Sequence, residues 1–222
     1  MTELVRYLER LLDPGGLGLL EAVDHIVDEG YLRDHICSVL GDDGSGSSDG
    51  VAAYLHPNGF VKIRLAARPG EWSVRLHHWN QSEDELHAHS HRWNFASRLL
   101  VGSLRAKTYE LSPGDGGYRK YLCRRTDEDG YLLDDRGSCS LSLEAVETYR
   151  QGTSYLQEHR FLHAVETATS APVTVVVQGR DVSDHSLVVT RAEEEPPKQL
   201  PVLPLELSQT TPLLNQTLEL LQ

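Results

Sequence analysis

Apolar positions in the first forty residues repeat at the spacing of a helix. Leu4, Tyr7, Leu8, Leu11 and Leu12 make one stripe. Leu19, Leu20, Val23, Ile26 and Val27 make a second, and Leu32, Ile36 and Leu40 continue it past an interruption at Gly30. Pro14-Gly15-Gly16 is expected to break the first helix, since proline and glycine both end helical runs. Gly41 to Gly50 is rich in Gly, Ser and Asp and reads as a linker.

After residue 50 the period changes from helical to alternating. Segments 51–56, 60–66, 72–79, 84–91, 95–109, 118–126, 143–151, 153–158 and 162–168 carry β-branched or aromatic residues in alternation. Val173 to Val177 and Leu187 to Val189 complete the set, with turns expected at Pro57-Asn58-Gly59 and Pro113 to Gly117. Short strands and tight turns in this number predict an antiparallel sandwich or barrel. From Glu193 the chain becomes Pro-rich and reads as an extended arm, with a short helix over Leu213 to Leu221. Residues 1–50 are thus a helical extension and linker, 51–192 a β-barrel, and 193–222 a C-terminal arm. Leu200, Val202, Leu203, Leu205 and Leu207 need cover, which predicts a homodimer in which the arm packs on the partner.

Composition narrows the function classes. The net charge of −12 argues against nucleic acid as a partner. No run of ~18 apolar residues offers a membrane span. The N-terminus lacks the basic start and apolar core of a signal peptide, which predicts a cytoplasmic protein. Cys37, Cys123 and Cys139 are sparse and odd in number and are expected as free thiols.

Eleven histidines are many for 222 residues. His77, His78, His87, His89 and His91 are close together. In an unbroken strand His87, His89 and His91 would share one face. Two of them can reach one ion, and a third ligand must come from another strand. His163, in the alternating segment Phe161 to Val165, supplies it. His25, His35, His56, His77, His78 and His185 read as ordinary hydrogen-bonded side chains. Three neutral imidazoles suit Fe, Zn, Cu or Ni better than Ca or Mg.

These residues resemble the cupin family. The cupin pattern is His-x-His, then three or four residues, Glu, six residues and Gly. Here His89-Ser90-His91 is followed by Arg92-Trp93-Asn94, with Phe95 at the Glu position and Gly102 at the Gly position. Tyr155 to Glu166 looks like the second cupin motif. Its Leu162-His163-Ala164-Val165-Glu166 run is similar to that of the three-histidine thiol dioxygenases, of which cysteine dioxygenase is the best known. That group also lacks the Glu ligand. The resemblance spans roughly residues 60 to 180. It implies a mainly β cupin fold, a double-stranded β-helix or jelly-roll barrel. It also implies an Fe(II) centre on His89, His163 and either His91 or His87, with Zn, Ni or Cu as other occupants.

The implied function is a non-haem iron oxygenase taking O₂ and a small polar acid, such as an amino acid or thiol. Other cupins do redox-neutral isomerase or lyase chemistry, or only bind. By the same resemblance Arg64 falls near the arginine that grips a substrate carboxylate, with Arg75 and Arg98 as alternatives. Trp93, Phe95 and Tyr155 are expected to line the pocket. The Cys–Tyr pair and Ser-x-His-x-Tyr element of cysteine dioxygenase have no clear match, and Gln178-Gly179-Arg180 stands in that region instead. That departure removes the support for cysteine itself as substrate.

Overall fold

The computed structural model describes residues 2–12, 18–41, 51–79, 87–126, 130–169 and 171–222. The helical stripes become α1 (Glu3–Leu11), α2 (Leu19–Asp28) and α3 (Tyr31–Leu40). Gly30, at φ 75°, takes the left-handed conformation that separates α2 from α3, a backbone state glycine adopts without steric cost. The Pro14-Gly15-Gly16 break and most of the 41–50 linker lie outside the described residues.

The alternating region folds into two antiparallel sheets. The larger is built from β1 (Ala52–Leu55), β2 (Phe60–Arg68), β3 (Trp72–Trp79), β5 (Trp93–Val101), β8 (Ser154–Gln157), β10 (Val173–Asp181) and β13 (Leu203–Leu205), in the order β13-β1-β2-β3-β10-β5-β8. The smaller comprises β4 (Ala88–His89), β6 (Ser103–Arg125), β7 (Gly130–Arg150), β9 (Leu162–Thr167), β11 (Ser186–Arg191) and β12 (Gln199–Pro201), in the order β11-β4-β9-β6-β7-β12. Strand β6 also pairs with β11, so the short β4 sits between β9 and β11. The two sheets face each other across a cavity, and the three helices precede them in the chain.

One face of the larger sheet is covered by helices. Ile63 and Leu65 of β2, Val74 and Leu76 of β3, and Val175 and Val177 of β10 share a single core with Leu4, Leu8, Val23, Ile26 and Ile36. Strand alternation then turns Lys62, Arg75, His77 and Val176 the other way, toward the cavity. Gly102 carries the chain from β5 in one sheet to β6 in the other. Its φ is 83°, and a Cβ there would lie 2.6 Å from Thr169 Oγ1.

The structure departs from several expectations. Pro113 to Gly117 is not a hairpin turn: Pro113 and Tyr118 both stand opposite Cys139, so the intervening residues bulge out of a continuous β6. The real reversal joins β6 to β7, which begins at Gly130, well before the expected 143. The histidine strand expected over 84–91 is described only from residue 87, and strand pairing covers only Ala88–His89. The arm pairs with its own chain, β12 with β7 and β13 with β1, and leaves Leu203 and Leu207 exposed. Pro201 and Pro204 fit there because each strand is at a sheet edge, where a missing N–H costs no ladder bond. The final helix, α4 (Leu207–Leu220), starts earlier than expected, because Glu206 and Gln209 form a capping box ahead of Pro212. The three cysteines are free.

Candidate metal centre

His89 and His163 come together because their strands pair. In the β4–β9 register each stands directly opposite the other, which puts both side chains on one face. Their ring centroids are 4.7 Å apart.

His91 reaches the same point by a different route. Ser90 continues the β4–β11 ladder, and the chain leaves it at His91. The Ser90 N–H donates to the Leu187 carbonyl (2.9 Å), and the Ser90 hydroxyl accepts from the Leu187 N–H (2.9 Å). The His91 N–H instead donates to the carbonyl of His159 (3.1 Å). The chain therefore leaves β4 and turns His91 back over the pair. Its ring lies 4.9 Å from that of His89 and 5.0 Å from that of His163. One nitrogen from each of the three lies within 4.8 Å of the other two, and His91 Nε2 is 2.8 Å from His163 Nε2.

The electrostatics suit a cation. Burial pushes His91 and His163 well below the ordinary imidazole pKa, and the neighbouring histidines push the same way. Both rings are neutral at physiological pH and carry a lone pair. His89 Nδ1 is 3.3 Å from the His87 carbonyl oxygen; donating there fixes the tautomer and leaves Nε2 as the ligating atom. One proton shared between two imidazoles would satisfy only the 2.8 Å contact. Three converging donors fit a single ion held at roughly 2.0–2.1 Å from each nitrogen.

The cavity beside these rings has a volume of about 250 Å³. Trp93, Tyr155 and Phe95 line it, as expected. Phe95, at the position of the cupin Glu, is buried and presents its ring edge to His91 (4.9 Å, 85°). Tyr155 stacks on Tyr149 at 4.1 Å. His87 lines the cavity but is not part of the three-histidine group; its Nδ1 is 3.7 Å from Glu194. Pro196, Pro197 and Leu200 of the arm complete the wall on that side.

The expected arginine is displaced by one strand. Arg64 stands opposite Arg75 in the β2–β3 register but is not among the cavity-lining residues, whereas Arg75 is. Arg98 is outside the site altogether, tied to Asp24 (3.2 Å) and Asp28 (2.8 Å) of α2. Two histidines expected to be ordinary, His56 and His77, also face the cavity, and burial holds both well below the usual imidazole range. The signal for His77 was present in the alternation Arg75-x-His77-x-Trp79. His35 and His78 do have plain structural partners, in Leu65 and Thr217.

No protein-family model matches the chain, and no curated protein matches it. Solved structures with a similar fold include a conserved protein of unknown function from Streptococcus pyogenes, at 10% identity and a TM-score of 0.35, covering 58% of this chain and 80% of that one. An RmlC-like cupin from Shewanella frigidimarina gives 10% and 0.37, covering 61% and 89%. Iron(II)-bound HppE gives 12% and 0.38, covering 59% and 56%. Likeness at this level does not carry chemistry from one protein to another. The narrower similarity to thiol dioxygenases rests on the sequence motif alone.

Proposed function

We propose that this chain binds one divalent transition-metal ion, iron(II) first, through His89, His91 and His163. On this reading it is a mononuclear oxygenase acting on a small polar acid, such as an amino acid or thiol. The observation that supports the reading is the convergence of three imidazoles in the wall of one cavity. Zinc, nickel and copper accept the same donors, so metal content is measured and not assumed.

When bound, the ion would supply positions open to both O₂ and a substrate donor atom. The protein's own residues prepare the place. The His87 carbonyl orients the ring of His89. The Phe95 ring covers one flank of His91 and keeps water from it. Trp93 and Tyr155 give the substrate aromatic walls to lie against.

The test is elemental analysis of purified protein, followed by O₂ uptake with amino acids and thiols. About one equivalent of ion is expected. Replacing His89, His91 or His163 by Ala should remove it while the far-ultraviolet circular dichroism stays that of wild type. His87→Ala should keep it. Metal-dependent turnover without O₂ uptake would move the chain to redox-neutral cupin chemistry. Wild type without metal, or full occupancy in all three Ala variants, overturns the reading.

A further inference from the structure

The chain carries a net charge of −12, yet its cavity wall has the opposite character. Lys62, Arg75, Arg92 and Arg125 all line it, and among the described residues no Asp or Glu does. Arg92 is answered by Asp181, 3.5 Å away. Arg75 is not answered: among the described residues it has no ion pair, and its guanidinium lies over the Trp93 ring at 5.2 Å. Arginine does not shed its charge in a protein, so this cation stays in place. Arg64, opposite it on β2, adds a second positive charge nearby.

Two further polar atoms on the same strand are left over. His77 Nε2 and Trp79 Nε1 are buried without a hydrogen-bond partner among the described residues. Residues 75, 77 and 79 alternate onto one face, so a guanidinium, an imidazole and an indole N–H stand in a row along β3. Buried polar groups are normally satisfied, and an unsatisfied set in a cavity wall marks where a ligand supplies the partner. His89 and His163 belong to the facing sheet.

We infer that the β3 row is an anion subsite and that the cavity's ligand is a small dianion. One acidic group meets the histidine centre. The second, a carboxylate or a phosphoryl group, accepts from Arg75, Trp79 and His77. A guanidinium fork matches either group with paired hydrogen bonds. The small volume limits the ligand to a compact molecule. This deepens the proposed function and rests on it only for the metal end.

The experiment is isothermal titration calorimetry of the zinc-loaded full chain with phthalate, phenyl phosphate and benzoate. Zinc is redox-silent, so only binding is read. Both dianions are expected to bind at least about tenfold more tightly than benzoate, and their ranking separates carboxylate from phosphoryl recognition. Arg75→Gln should weaken the dianions by roughly 10–100-fold, the loss expected for charged hydrogen bonds, and bring the ratio to benzoate near one. Its metal content should not change. Trp79→Phe keeps the ring, removes the donor, and should cost the dianions roughly 3–10-fold even if Arg75→Gln does not fold. Equal binding of phthalate and benzoate by wild type, or an unchanged ratio in the variants, overturns the subsite. Wild type that holds zinc but does not discriminate fails this inference alone; dianion preference in protein that cannot hold metal fails only the metal reading.

Discussion

On β3, Val74 and Leu76 pass beneath the helices, while Arg75 and His77 alternate with them toward the cavity. Both sets are withdrawn from bulk water, but for different ends. Beneath the helices Val74 and Leu76 join a continuous apolar core, and the polar groups His35 and His78 on that side have hydrogen-bond partners. Across the sheet, the donors His77 Nε2 and Trp79 Nε1 are kept in place without a hydrogen-bond partner among the described residues. The first face stabilises the fold. The second costs stability and keeps a binding surface ready, the pattern expected of a functional site.

That contrast gives the largest expected effect. Leu76 is fully buried in the main core, so Leu76→Ala should cost roughly 2–5 kcal/mol in urea unfolding, from lost transfer energy and the cavity left behind. Arg75→Gln, one residue away, should leave stability within about 1 kcal/mol of wild type or raise it, because it removes a desolvated charge that has no ion pair among the described residues. Equal losses for the two variants would show that the cavity face is structural and the contrast false.

How much of this was legible in the sequence follows from the same alternation. The change of period near residue 50 is a local signal, and it located the helices and most strands. His89 and His163 were legible because each sits in a short motif within an alternating segment. Their pairing needed only that the two strands be neighbours. His91 was less so: its position depends on His159, whose carbonyl takes the His91 N–H where the chain leaves the β4–β11 ladder. A histidine strand read as unbroken gives the right residue for the wrong reason. Arg75 and His77 were hidden differently. Alternation showed that they oppose Leu76, but a polar face normally means solvent, and only the second sheet turns it inward. Pro113 to Gly117 misled because glycine and proline signal a departure from the strand, and nothing local tells a bulge from a reversal. The arm's pairing was hidden because its strand partner β1 lies about 150 residues away in the chain.

The C-terminal helix extends the comparison to a polar group placed on the helix side. His78 faces α4, and its Nε2 lies 3.1 Å from Thr217 Oγ1. Burial pulls its pKa down to about 4. The unfolded chain therefore takes up this proton near pH 6.5, whereas the folded chain resists until about pH 4. The contribution to stability is complete above pH 6.5 and is lost as pH falls from there through 4. The shift corresponds to at most about 3 kcal/mol. Unfolding free energies of wild type and His78→Gln at pH 7 and pH 4.5 isolate it, since the other buried histidines titrate in both proteins. The wild type should lose more stability than the variant over that interval. Parallel losses would mean that α4 docking does not depend on the charge of His78.

The smallest expected effect lies where the helical extension meets the barrel by charge. Arg98 of β5 reaches out to α2, 2.8 Å from Asp28 and 3.2 Å from Asp24. Asp28 is 57% exposed, so water already competes for the pair and salt screens it. Arg98 also keeps Asp24 when Asp28 is neutralised. Asp28→Asn should therefore change stability by less than about 1 kcal/mol, and the difference should shrink further between low salt and 1 M salt. The helices are held to the sheet by Val23, Ile26 and Leu19 against β10 and β5, which this substitution does not touch. A loss comparable to that of Leu76→Ala would show that the ion pair, and not the apolar face of α2, fixes the extension on the barrel.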